Sequence, residues 1–304
     1  MSLPGGGATL ARWRALAALG AEDLALAKVL EAHHDALAIL AELGAAAVDD
    51  LKLDDSTLLA VWAAEGPEVT VRIEEGSDGP RLTGRKPWCS GARFVDAALL
   101  TAGEGDGRQL VLVQMRDAGV TCLETGWEAV GMAAIESGPV EFKAVPCRRI
   151  GEPGGYVARP GFWHGGAGIA ACWYGAAVTI AQRMADPERV ARDPHLAAAL
   201  GRCDMALGGA GALLRELAAR IDDAPAQPHR REVVRVRSAV ERVCHEVLDA
   251  AGRSLGPGPL CRDGAHAQRC ADLTVFVRQS HADRDWAALG TEVADMEATT
   301  RWAL

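Results

Sequence analysis

The run Gly84-Arg85-Lys86-Pro87-Trp88-Cys89-Ser90-Gly91-Ala92 sets an indole, a thiol and a hydroxyl within three residues. Where a strand enters a turn, such a run could hold an indole face and a hydroxyl beside a planar ligand. The plainer reading is a strand with one buried Trp. A second group lies near the C-terminus, at Ser280, His281 and Asp285. The spacing from His281 to Asp285 places imidazole and carboxylate on one face of a helix. Imidazole titrates near neutral pH, so the pair could move a proton, although a helix-surface contact is the plainer account.

Other chemistry-bearing patterns carry less. Cys261, His266 and Cys270 invite a zinc reading, but no CxxC pair occurs in the chain and no metal is expected. His33 and His34 are adjacent on a helical pattern and cannot both face one site. Gly166, Gly168 and Ala171 fit a loose dinucleotide pattern, which needs a preceding strand and a following parallel strand. Neither is present, so close helix packing is the expectation for these glycines. Arg230, Arg231, Arg235 and Arg237 could hold phosphates, whereas most such runs are solvated helix starts.

These residues need elements to position them. Residues 8–48 are rich in Ala and Leu, with Leu26, Val29, Leu30, Leu37, Leu40 and Leu43 near helical spacing before Gly44. Residues 56–150 change character. Val69, Val71 and Ile73 alternate with polar residues, and strand-like runs follow at 58–64, 81–89, 97–102, 110–115 and 140–145. Gly/Asp/Pro turns separate them without intervening helices, which predicts an antiparallel sheet. From Gly161 the pattern is helical. Asp193-Pro194 reads as an N-cap followed by proline at the first helical position. Val233, Val236, Val240, Val243 and Val247 form one apolar stripe, 222–228 reads as a loop, and a last helix is predicted over Gln268–Leu289.

The chain has 304 residues, 49% of them hydrophobic and 24% charged, enough for a sizeable core. A net charge of −9 argues against a general nucleic-acid binder. The one long uncharged run, Pro160 to Gln182, is rich in Gly and Ala and reads as a buried helix, so no membrane partner is expected. The N-terminal residues lack a basic-then-apolar secretory pattern. With eight Cys spread along the chain, a cytoplasmic protein with reduced thiols is expected.

The run around Trp88 resembles the acyl-CoA dehydrogenase family, whose central β-domain carries G-x-K-x-W-(I/C)-(T/S)-(N/G)-(G/A) against the flavin. Gly126-Trp-Glu-Ala-Val-Gly-Met132 and Pro139-Val-Glu-Phe-Lys-Ala-Val-Pro146 are similar to that domain's closing strands. Pro160-Gly-Phe162, Gly252-Arg253 and His266-Ala-Gln-Arg269-Cys-Ala-Asp272 resemble the start of the C-terminal bundle, a Gly-rich turn and the helix start after it. The resemblance spans about residues 56–290. It implies an α+β fold of the acyl-CoA dehydrogenase type. Shortened N-terminal helices (1–55) precede a central antiparallel β-domain (56–158) and a C-terminal four-helix bundle (159–304).

The resemblance further implies FAD between the β-domain and the bundle, held by Trp88, Cys89, Ser90 and Gly252. The substrate would be an acyl-CoA-like small molecule and the assembly a homodimer or homotetramer. The Gly/Ala run at 165–177 and the Val stripe offer close-packing faces for such an assembly. The chain departs from the family at the base. Ser280 stands eight residues after Asp272, where the family has its catalytic Glu, and the second position some branches use falls near Gly165. The family's Arg-Thr-Phe-Gly stretch has no counterpart before Asp193-Pro-His195. These departures make His281 the expected base, with Asp285 orienting it beside Ser280. The leading expectation is an FAD-dependent oxidoreductase on an acyl thioester or related acyl compound. The alternatives are a flavin-dependent monooxygenase of the same fold, or a non-catalytic paralogue serving as an assembly subunit.

Overall fold

A computed structural model describes residues 1–44, 56–64, 71–105, 107–124, 126–299 and 301–302. Two compact units divide the chain. One comprises Lys28–Ala129 and Ala133–Phe162; the other comprises Ser2–Ala27, Val130–Met132 and Trp163–Leu304. The N-terminal helices, α1 (Thr9–Glu22) and α2 (Leu24–Leu43), are thereby shared between the units rather than forming a segment of their own.

The first unit is built on β1 (Leu59–Trp62), β2 (Arg72–Gly76), β3 (Gly79–Lys86), β4 (Ala97–Glu104), β5 (Gly107–Gln114), β6 (Val120–Cys122) and β7 (Val140–Ile150). The strand order is β1-β4-β2-β3-β7-β5, with β6 beside β7. Because β4 also pairs with β5, the sheet closes on itself. Period-two alternation then decides which core each residue joins. Ala98, Leu100, Val111, Val113, Phe142 and Val145 belong to one buried cluster. Their strand neighbours Leu99, Leu110 and Leu112 belong to a second, shared with Ala36, Ile39 and Leu40 of α2.

Most of the pairings are antiparallel, as expected. The exceptions are β1, which runs parallel to β4 from Leu59↔Ala97 to Trp62↔Leu100, and a single parallel pair between β2 and β4. The hairpin β2–β3 lies between β1 and β4 in the chain, so β4 can return in β1's direction. Val69 lies outside the described residues. The α2 stripe is also rotated from expectation: Leu26 and Leu37 are exposed, while Leu24, Ala27, Ala36 and Ile39 are buried. Toward the sheet α2 presents Ala36, Ile39 and Leu40.

The second unit is helical. It contains α1, α4 (Pro160–Gln182, from Trp163 on), α6 (Pro194–Asp223), α7 (Arg230–Leu255) and α9 (Gly264–Phe276), with shorter helices α5 (Pro187–Arg192), α8 (Pro257–Arg262) and α10 (Asp283–Ala294). The remaining helix, α3 (Gly155–Ala158), belongs to the first unit. Asp193 caps α6 as predicted, accepting from the backbone N–H of His195 at 2.9 Å and Leu196 at 3.1 Å. Asp222, at the far end of α6, accepts from the N–H of Gly7 and Thr9 and from the Thr9 hydroxyl at 2.6 Å, capping α1 from a distance.

Val233, Val236, Val240, Val243 and Val247 are all buried, so the stripe is real. The glycine run packs against α1: Gly168 lies under Leu16 and Trp13, and Gly175 lies on the Ala17 carbonyl. That settles the dinucleotide pattern as helix packing. The Gly run on α4 and the Val stripe on α7 are thus packed within this chain. Among the described residues, no helix is long and apolar enough to cross a membrane.

The largest local departure concerns the predicted helix over Gln268–Leu289. Helix α9 stops at Phe276, a 3-10 turn spans Val277–Gln279, and α10 starts at Asp283. Ser280 is extended and Ala282 sits at φ +48°. His281 therefore lies in a break between helices. No Gly or Pro marks the break; tertiary hydrogen bonds described below make it.

Candidate functional site

In the first unit, Lys86 ends β3 and is 1% exposed, with its ammonium donating to the Thr101 carbonyl and hydroxyl at 2.9 Å each. The chain then turns. Cys89 N–H donates to Gly138 O at 3.0 Å and Gly91 N–H to Ile135 O at 2.9 Å. Gly91 adopts φ +71°, a conformation that favours glycine. The Trp62 indole N–H donates to the Ser90 carbonyl at 3.0 Å, and the Ser90 hydroxyl meets that of Ser137 at 2.7 Å. Cys89 is fully buried, and burial pushes its thiol pKa far up, so it is neutral and unreactive. Trp88 is different: it is 49% exposed, so the buried-Trp reading fails.

The same loop borders a cavity of about 680 Å³ lined by Arg93, Cys122, Trp127, Glu128, Glu136 and Pro139, among others. Arg93 and Glu136 pair across 2.8 Å. The Cys122 thiol is held above its ordinary pKa by burial.

In the second unit the predicted group at 280–285 is assembled, though in a turn. The His281 backbone N–H donates to Asp285 at 3.2 Å, and its Nδ1 lies 3.3 Å from the other carboxylate oxygen. The imidazole remains 67% exposed. Ser280 is buried and donates its hydroxyl to the Glu241 carboxylate at 2.5 Å. Glu241 lies beside Val240 on the apolar face of α7 and is 3% exposed. Its other oxygen accepts from Arg278 at 2.9 Å and lies 3.8 Å from His245.

Sequence reasoning missed Glu241. The available signal was a carboxylate placed within the buried register of the Val stripe.

The remaining expectations are placed as follows. Arg237 donates to the carbonyls of Gly166 and Gln279 and lies 5.0 Å over the Trp173 ring. Arg230 pairs with Glu292 and covers the Trp163 ring, and Arg231 pairs with Glu232. These three arginines serve the bundle itself. Gly252 is a residue of α7 and not of a turn; the turn follows at Gly256, φ +67°. Gly165 is buried on α4, and the neighbouring His164 bonds the Gln227 carbonyl at 2.8 Å. Cys261 is exposed on α8, whereas His266 and Cys270 meet at 3.6 Å on α9. Among the described residues, no three His, Cys, Asp or Glu side chains are grouped to hold a metal ion. His33 accepts the Leu59 N–H at 3.2 Å, and burial lowers its pKa.

No protein-family model and no curated relative matches the chain. Solved structures do. Butyryl-CoA dehydrogenase from Megasphaera elsdenii superposes with a TM-score of 0.80 at 15% identity, over 92% of this chain and 80% of that one. The fold is acyl-CoA dehydrogenase-like. Dibenzothiophene monooxygenase TdsC from Paenibacillus sp. A11-2 gives 0.77 at 19% identity, over 92% and 82%. KijD3, solved with FMN and a dTDP-amino-keto sugar, gives 0.77 at 18% identity, over 92% and 78%. TdsC has also been solved with FMN and indole.

Proposed function

We propose that this acyl-CoA dehydrogenase-like protein is a flavin-dependent oxidoreductase, with FAD as its flavin and an acyl thioester or related acyl compound as its substrate. The observation that carries this reading is the turn at Trp88–Gly91. It exposes half of an indole next to a serine hydroxyl already oriented by Ser137. A solvent-facing indole on a hydrogen-bonded turn suits the face of a planar heteroaromatic group, and Ser90 can offer or accept a hydrogen bond at its edge. Bound flavin supplies two-electron chemistry. This chain's residues would stack on it, fix its edge and exclude water from its face.

The test is titration of the purified protein with FAD and, separately, with FMN, following flavin fluorescence. Quenching that saturates, tighter for FAD, is expected. Fluorescence that rises as for free flavin with both would end the reading.

One observation favours a second reading, a flavin-dependent monooxygenase: Ser280 stands where the resemblance calls for a carboxylate, next to the exposed His281–Asp285 pair. In that reading His281 is the base. The two readings part on whether a saturated acyl-CoA alone reduces the flavin.

A further inference from the structure

The turn at Cys89–Gly91 is pinned mainly through its backbone. Cys89 N–H donates to Gly138 O at 3.0 Å and Gly91 N–H to Ile135 O at 2.9 Å, while the Ser90 carbonyl accepts the Trp62 indole N–H at 3.0 Å. These bonds hold the Ser90 backbone in place whatever its side chain does. The side chain makes a separate contact, the 2.7 Å bond between the Ser90 and Ser137 hydroxyls, in which either oxygen could be the donor. Among the described residues neither hydroxyl bonds any other group. Each hydroxyl has one proton to give and two lone pairs, so one proton lies between the oxygens and one remains. If Ser90 donates to Ser137, the remaining proton is stranded on Ser137, which is buried at 8% exposure. If Ser137 donates to Ser90, the remaining proton is on the half-buried Ser90, two residues from exposed Trp88. A buried donor without a partner costs more than an unused lone pair, so the second arrangement is favoured.

We propose that Ser137 fixes the Ser90 hydroxyl as a donor to its ligand, and that the site thereby prefers oxidised to reduced flavin. This rests on the flavin reading above, in which Ser90 bonds the edge of the ring. The edge nitrogen of an oxidised isoalloxazine accepts a hydrogen bond. After two-electron reduction the same nitrogen carries a hydrogen and donates. To meet it, Ser90 must turn its own proton to Ser137 and accept, which strands the Ser137 proton. Hydrogen bonds to ring nitrogens are among the means by which a protein tunes a flavin. Ser90 is the residue that touches the flavin, and Ser137 is a positioning residue that acts through it.

The midpoint potential of bound FAD reads this preference without any turnover. FAD-saturated protein is reduced stepwise with dithionite beside a reference dye, anaerobically, in wild type, Ser137→Ala, Ser90→Ala and the double variant. In Ser137→Ala the Ser90 hydroxyl turns freely, so the preference for oxidised flavin should fall about tenfold, as for one unmet buried donor. For a two-electron couple that is a potential about 30 mV higher. Ser90→Ala should also raise the potential, and adding Ser137→Ala to it should change nothing further. Ser137→Thr keeps the donor and should keep the wild-type potential.

Ser137→Cys, nearly isosteric and with only a weak S–H donor, should shift the potential part of the way and guards against an alanine variant that fails to fold. A wild-type potential in Ser137→Ala, or in Ser137→Cys where alanine does not fold, would overturn the proposal and leave the flavin reading standing. So would an equal shift on adding Ser137→Ala to Ser90→Ala, since Ser137 would then act without Ser90. FAD binding lost in both Ser137 variants would make the residue structural and also overturn the proposal. Wild type that leaves FAD fluorescence unquenched would remove the flavin reading itself, and the proposal with it.

Discussion

Trp88→Ala should strip the protein of most of its flavin affinity and cost little stability. Trp88 is 49% exposed, so truncating it opens no core cavity. Stacking of an aromatic side chain on a planar base is worth about 1–3 kcal/mol, so the Kd for flavin should rise roughly 5- to 150-fold. Trp286→Ala removes an indole of similar exposure (43%) from α10 and should leave flavin affinity unchanged. Titration of both variants, with urea unfolding as a control, checks this. Equal affinity in Trp88→Ala and wild type would move the cofactor away from this turn.

Gly175→Ala should destabilise the helical unit by about 3 kcal/mol. A Cβ there would land on the Ala17 carbonyl of α1, and backbone on backbone cannot yield without moving a helix. Gly208→Ala, on an exposed turn of α6 with open space around it, should instead stabilise by about 0.5–1 kcal/mol through helix propensity. Opposite signs for the same chemical change, read as urea midpoints, follow from packing alone. A neutral Gly175→Ala would mean that α1 and α4 are further apart than described.

What could be read from the sequence was local. The Asp193-Pro194 cap depends on one side chain and the next three residues, and it stands as expected. The Val stripe on α7 needs only helical spacing. Alternation on the strands sorted β4 and β5 residues between two cores, because a pleated strand offers no other choice.

What failed depended on partners far along the chain. Leu26 and Leu37 fall on the helical spacing of α2, yet both are exposed, and the sheet-facing side uses Ala36, Ile39 and Leu40. The parallel β1–β4 pair joins residues nearly forty apart, with a hairpin between them. The helix break at Ser280 follows from Glu241, 39 residues earlier, drawing the serine hydroxyl inward. Periodicity cannot show any of these. For the site, Trp88 and Ser90 were visible as a motif and the His281–Asp285 spacing was visible as a pair. Ser280's partner was not, since nothing in 268–289 points to α7.

The protein's proposed chemistry meets its most direct test in one anaerobic spectrum. FAD-loaded protein is mixed with butyryl-CoA and the flavin's visible absorbance is followed, in wild type and in His281→Ala. The account predicts bleaching in both, because His281 is the base only in the monooxygenase reading. An unchanged flavin band with butyryl-CoA bound would contradict it. So would bleaching that disappears in His281→Ala.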